Sequence, residues 1–92
     1  MIKSFRHRGL KRLYERSDAS GVRADQVRRS RGVLTLLDEI EGPGEMDFPG
    51  YRLHPLKGSL KGFWSVTISG NRRIVFRFEK GNALDIDLTD YH

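Results

Sequence analysis

No cysteine occurs in the chain, so disulfides and thiolate metal sites are excluded and nothing points to an oxidising compartment. Long hydrophobic runs are missing as well. No apolar stretch approaches the ~20 residues that a membrane-spanning helix needs, and the basic first residues lack the apolar segment of a secretory signal. The expectation is a cytoplasmic protein with no membrane association. Internal repeats, linkers and low-complexity tracts are also absent. The 92 residues suffice for one small domain with one core.

Acidic charge is scarce and unevenly placed. Residues 1–31 hold ten Lys/Arg against Glu15, Asp18 and Asp25, whereas residues 32–50 hold five acids and no base. Residues 51–80 are basic again, with seven Lys/Arg against Glu79, and the last segment adds Asp85, Asp87 and Asp90. Two basic blocks around an acidic connector suggest a surface that meets a polyanion, nucleic acid above all.

The most informative stretch is His54 to Phe78. It reads as a strand end, a basic Gly-punctuated loop, and a β-hairpin pairing Phe63–Ser69 with Arg72–Glu79 across Gly70-Asn71, two residues with easy access to positive φ. Trp64, Val66 and Ile68 fall on one face, as do Ile74, Phe76 and Phe78, so these rows can pack beneath helices. The opposite rows carry Ser65, Thr67, Arg73, Val75 and Arg77, a basic and hydroxyl-bearing face suited to a phosphate chain. Further strands are expected over Tyr51–His54 and Ala83–Leu88, the latter with Leu84, Ile86 and Leu88 turned to the core and closed onto the hairpin by Lys80-Gly81-Asn82.

Upstream, Met1–Phe5 is a weak strand candidate. Leu10, Leu13 and Tyr14 mark a helix over residues 7–16, broken by Ser17–Gly21. A longer helix runs from about Ala24 to Glu39 on Val27, Leu34, Leu37 and Ile40, widened by Val33 and Leu36, until Gly42-Pro43-Gly44 stops it. The order β-α-α-β-β-β-β gives an α+β fold, with two N-terminal helices packed on one face of a mainly antiparallel sheet.

Three histidines carry the candidate chemistry: His7, His54 and His92. Imidazole titrates near neutrality, so one ring can accept a proton while another donates one. Attack of an RNA 2′-OH on the adjacent phosphate needs such a pair, with cations for the charge that builds on the phosphoryl oxygens. His54 is followed by Lys57, and Arg73 and Arg77 stand on the hairpin. Asp90 can orient an imidazole, and Tyr91 can stack on a base or donate its hydroxyl to a phosphate. His7, in a helix start crowded with arginines, reads as structural. A metal site from His54, His92 and Asp90 lacks any recognised ligand spacing. Each candidate also has a plain reading as a solvated surface residue, and spacing alone leaves the site undecided.

Several segments together resemble one family. They are Met1–Leu10 (MIKSFRHRGL), His54–Gly58 (HPLKG), Gly62–Val66 (GFWSV), Asn71–Ile74 (NRRI) and Asp90–His92 (DYH). In order along the whole chain they resemble the HigB family, toxins of bacterial toxin–antitoxin pairs within the RelE/ParE superfamily. The resemblance implies a RelE-like fold and a ribosome-dependent mRNA endonuclease that cuts in the decoding site with the 2′-OH as nucleophile, without metal or cofactor. It implies His54 and His92 as the acid–base pair, and Asp90 and Tyr91 as groups that position the reacting nucleotide. Lys57 and Arg73 would contact phosphates, and Asn71 would sit near the codon bases. The implied partners are a HigA-like helix-turn-helix antitoxin, the ribosome and mRNA. Two departures stand out: Arg72 where the family commonly has Trp, and Leu84 in place of a frequent Tyr. Two other readings compete: a ParE-like gyrase inhibitor, which has no chemical use for His54 and Asp90-Tyr91-His92, and a non-catalytic nucleic-acid-binding module.

Overall fold

Two helices precede four strands in the computed structural model, which describes residues 1–90. Helix α1 covers Arg8–Arg16 and α2 covers Val27–Glu39, followed by β1 (His54–Pro55), β2 (Trp64–Ser69), β3 (Arg72–Glu79) and β4 (Asn82–Asp90). The strands lie in the order β1-β2-β3-β4 and every neighbouring pair is antiparallel. The N-terminal segment adds a short parallel edge. Ile2 bridges Ala83 and Phe5 bridges Ile86, with the Lys3 N–H donating to the Ala83 carbonyl at 2.8 Å. The expected α+β architecture is therefore the observed one. Among the described residues, no helix is long and apolar enough to cross a membrane.

The core lies between the helices and one face of the sheet, as the alternation requires. Leu10 and Leu13 of α1 and Val33, Leu34 and Leu37 of α2 are buried against Val66, Ile68, Ile74, Phe76 and Ile86. Tyr14 stays partly exposed, its ring 5.5 Å from that of Phe5. Helix α1 is capped by His7, whose Nδ1 accepts the Leu10 N–H at 3.1 Å. That supplies one of the unpaired donors of the first turn. The second helix starts later than its pattern suggests, because Ala24–Gln26 form a 3₁₀ turn that leads into α2 at Val27.

Three local departures matter. The strand expected over Tyr51–His54 is reduced to His54–Pro55 because Arg52 adopts a left-handed φ of 50°, although the Tyr51 carbonyl still accepts the Thr67 N–H at 2.7 Å. At the first hairpin tip Gly70 takes φ 48°, whereas at the second both Lys80 (52°) and Gly81 (79°) are left-handed, the geometry that suits a two-residue turn to strand twist. The third is a bulge in β4. Arg77 pairs with Leu84 but Val75 pairs with Asp87, and Asp85, the extra residue, has φ 52°. The bulge resets the alternation. Ala83, Ile86 and Leu88 face the core, while Leu84 stands half-buried beside Arg77 on the opposite side rather than in the core row expected of it.

Candidate active site

The face of the sheet away from the helices carries the polar rows. In the ladder His54 pairs with Ser65, Ser65 with Val75, and Val75 with Asp87. The neighbouring row runs Thr67, Arg73, Thr89. Since paired residues point to the same side, an imidazole, a hydroxyl and a guanidinium are delivered to one surface by backbone register alone.

Above these rows opens a cleft of about 470 Å³. His54 and Lys57 line it on the β1 side, Arg73 and Val75 form its floor, and Thr89 and Asp90 stand at the far side. The β1 side is shaped by the loop that follows His54-Pro55. There the Leu56 N–H donates to the Phe63 carbonyl at 2.9 Å, and a 3₁₀ turn over Gly58–Leu60 begins directly after Lys57. Pro55 cannot donate to a ladder, which suits its position on the edge strand. Three strand spacings separate β1 from β4, about 14 Å at ~4.8 Å each, so the cleft spans the sheet.

Of the residues singled out in the sequence, His54, Lys57, Arg73 and Asp90 are brought together here. The other members of the expected site are placed differently. Asn71 is exposed in the turn between β2 and β3 and is not among the residues that line the cleft. Arg77 lies outside the cleft lining and is held by two carboxylates, its Nε donating to Asp85 at 2.7 Å and its Nη1 to Glu79 at 2.8 Å. Tyr91 and His92 fall outside the described residues.

A family model for the RelE-like toxin of the type II toxin–antitoxin system HigB matches residues 3–92. The chain belongs to the HigB-like toxin family. The resemblance read from the sequence is thus borne out, and membership pairs this toxin with an antitoxin. The endoribonuclease HigB of Proteus vulgaris is 46% identical over 92 residues, which is the full length of both proteins. A crystal structure of a YafQ mutant from E. coli shares the fold at a TM-score of 0.63 and 15% identity, over 98% of this chain and 93% of that one.

Electrostatics in this HigB-like toxin separate structural from exposed ionisable groups. His7 has its pKa lowered, first by burial, with the Arg72 and Arg12 guanidinium groups adding to the effect and Asp87 opposing it. A neutral ring is what its capping bond demands, since Nδ1 must accept. Asp85 is held below the usual carboxylate range, chiefly by its bond from Arg77. His54 and Lys57, by contrast, are exposed at the cleft.

Arg73 is anchored from below: its Nη1 donates to the Ser65 hydroxyl at 3.0 Å. Arg72, on the other side of β3, donates to Asp90 at 3.2 Å. Neither Ser65 nor Thr89 stands out in the sequence as a site residue. The alternation that puts Ser65 in the row of Arg73 and Val75 is the signal that marks it.

Proposed function

We propose that this HigB-like toxin is an endoribonuclease that cuts mRNA in the decoding site of the ribosome and so arrests translation. The observation that carries the reading is the gathering of His54, Lys57 and Arg73 around one cleft of the basic sheet face, with Asp90 at its far border. It occurs in a chain that matches an endoribonuclease over its full length.

The chemistry needed is internal transesterification. One imidazole removes the proton of the 2′-OH, the oxygen attacks the adjacent phosphorus, and the bond to the 5′ oxygen breaks as a second group supplies that oxygen with a proton. The products are a 2′,3′-cyclic phosphate and a 5′-hydroxyl, and no water or metal enters the balance. In this reading His54 and His92 are the acid–base pair, with Asp90 and Tyr91 positioning the nucleotide. Lys57 and Arg73 stabilise the phosphoryl charge as it builds, and Asn71 at the exposed hairpin tip reaches toward the codon bases. The toxin acts in the cytoplasm, and its antitoxin is a HigA-like helix-turn-helix protein that neutralises it and binds the DNA of their operon.

The test is cleavage of a defined mRNA by the purified toxin, with and without ribosomes carrying an open decoding site, read by primer extension and end analysis. Ribosome-dependent cuts with cyclic-phosphate and 5′-hydroxyl ends are expected. Equal cleavage of free mRNA would remove the ribosome from the reading. A folded protein that cuts neither substrate but blocks gyrase supercoiling would replace it with the binding inhibitor.

A further inference from the structure

Beneath Arg73 and Val75, the floor of the cleft, lies a group that none of the roles above uses. Ser65 is wholly buried, yet its hydroxyl lies on the polar side of the sheet, paired in the ladder with His54 on one side and Val75 on the other. Its oxygen accepts from Arg73 Nη1 at 3.0 Å.

We propose that Ser65 is a positioning residue for Arg73, setting the guanidinium in the orientation that meets the scissile phosphate. The inference rests on the endoribonuclease reading of the cleft. An arginine side chain is long and rotamer-rich, but its planar fork offers five donors in a fixed relation to one another. Fixing one of them therefore fixes the direction of the rest. A good anchor must itself be immobile, and Ser65 meets that condition because ladder bonds hold its backbone and complete burial denies its oxygen an alternative in water. A hydroxyl also adds no negative charge of its own. The other two arginines of β3 bond to carboxylates, Arg72 to Asp90 and Arg77 to Asp85 and Glu79.

The experiment is a double-mutant cycle of Ser65→Ala with Arg73→Ala, followed by single-turnover cleavage of mRNA on programmed ribosomes. Binding of the same mRNA carrying a non-cleavable 2′-O-methyl group is measured in parallel. Preorganised donors act mainly on the charge that develops during reaction, so Ser65→Ala should slow cleavage about tenfold and change binding less than about twofold. In the Arg73→Ala background the same substitution should cost less than about twofold, because the two residues act as one unit. The pH profile, set by the acid and base, should keep its limbs. Ser65→Cys fills a similar volume with a weak acceptor and carries the same cycle if the alanine variant does not fold. Additive losses would overturn the proposal, as would wild-type rates for both Ser65 variants. So would a shifted pH limb, which would mean that Ser65 acts through its neighbour His54. Absence of cleavage by the wild-type toxin would strike the endoribonuclease reading instead, so the two failures are distinct.

Discussion

The Arg77 Nε sits 2.7 Å from the Asp85 carboxylate because β4 takes an extra residue at Asp85. Simple continuation of the hairpin from the Glu79–Asn82 pair would set Asp85 opposite Phe76, on the core side. The left-handed backbone at Asp85 turns the carboxylate out instead, and the Asp85 N–H donates to the Ser4 hydroxyl at 2.8 Å. Aspartate tolerates this conformation better than most residues. The bulge thereby ties three things together: the N-terminal edge segment, β4, and an arginine that sequence reasoning assigned to phosphate binding.

Removing that arginine should therefore affect folding more than cutting. Arg77→Ala is expected to retain cleavage within about threefold of wild type, since no donor aimed at the reacting phosphate is lost. Its urea midpoint should fall at neutral pH. Asp85 has its pKa depressed in the fold, so the stability linked to it is present above the ordinary carboxylate range and disappears as pH falls through the folded value. The gap between wild type and Arg77→Ala should accordingly close in acid. Urea unfolding at neutral and acid pH, beside the cleavage assay, checks both halves.

How much of this was legible follows from which residues set the geometry. The hairpin over Trp64–Glu79 was readable because alternation and a Gly-Asn turn are local signals. His54 and Arg73 could be nominated from residue type, and the ladder then placed them on one face. Alternation alone puts Leu84 on the core face, because the bulge at Asp85 has no signature in an Asp, which also fits an ordinary outward position. The Arg77–Asp85 bond was hidden for the same reason. The sequence suggests a longer β1 than forms, because nothing in Tyr51-Arg52-Leu53 announces a left-handed arginine. Ser65 was visible in its row but silent about its partner, since a buried hydroxyl and a solvated one are the same letter.

His7 gives a pH dependence with a definite sign. Its Nδ1 accepts the Leu10 N–H only while the ring is neutral, and burial lowers its pKa below the usual 6.5. The unfolded chain thus binds the proton more readily, so the stability His7 contributes is complete above the unfolded pKa and is lost as pH falls through the folded one. His7→Asn keeps a capping oxygen that does not titrate. It should match wild type at pH 8 and exceed it at pH 5, whereas His7→Ala should lose about 1 kcal/mol at pH 8. Urea denaturation across that range decides the matter, and parallel curves for wild type and His7→Asn would dismiss the cap as the titrating element.

Close packing at the start of α1 predicts an intolerant glycine. A methyl group added at Gly9 would lie 2.3 Å from the Gly21 carbonyl oxygen, a backbone atom that no side-chain rotation can clear. Alanine ordinarily favours a helix interior over glycine, but here the clash should dominate. Gly9→Ala is expected to cost about 2 kcal/mol, within the usual range for overpacking, measured as a shift in the urea midpoint at constant slope. Gly42→Ala, where the added group meets nothing within 4 Å, provides the control and should stay near wild type. Equal stability of the two variants would mean that the loop carrying Gly21 yields without cost.

Activity and stability should separate most cleanly at His54. Its ring is exposed at the cleft and its strand is the two-residue edge of the sheet, so little packing depends on it. As one of the proposed acid–base groups it should matter a great deal to the reaction. His54→Ala is expected to cut the single-turnover rate at least ~100-fold, the usual contribution of a general acid or base. Its urea midpoint should stay close to that of wild type, because surface substitutions of this kind seldom shift stability by more than about 0.5 kcal/mol. Lys57→Ala and Arg73→Ala should fall short of this in one respect: they remove charge stabilisation without removing a proton acceptor or donor, and so should lower the rate while leaving the limbs of the pH profile in place. A His54→Ala variant that still cuts ribosome-bound mRNA at the wild-type rate would exclude the imidazole from the chemistry. The cleft would then hold the RNA through its cations, and the acid–base groups would have to be sought elsewhere.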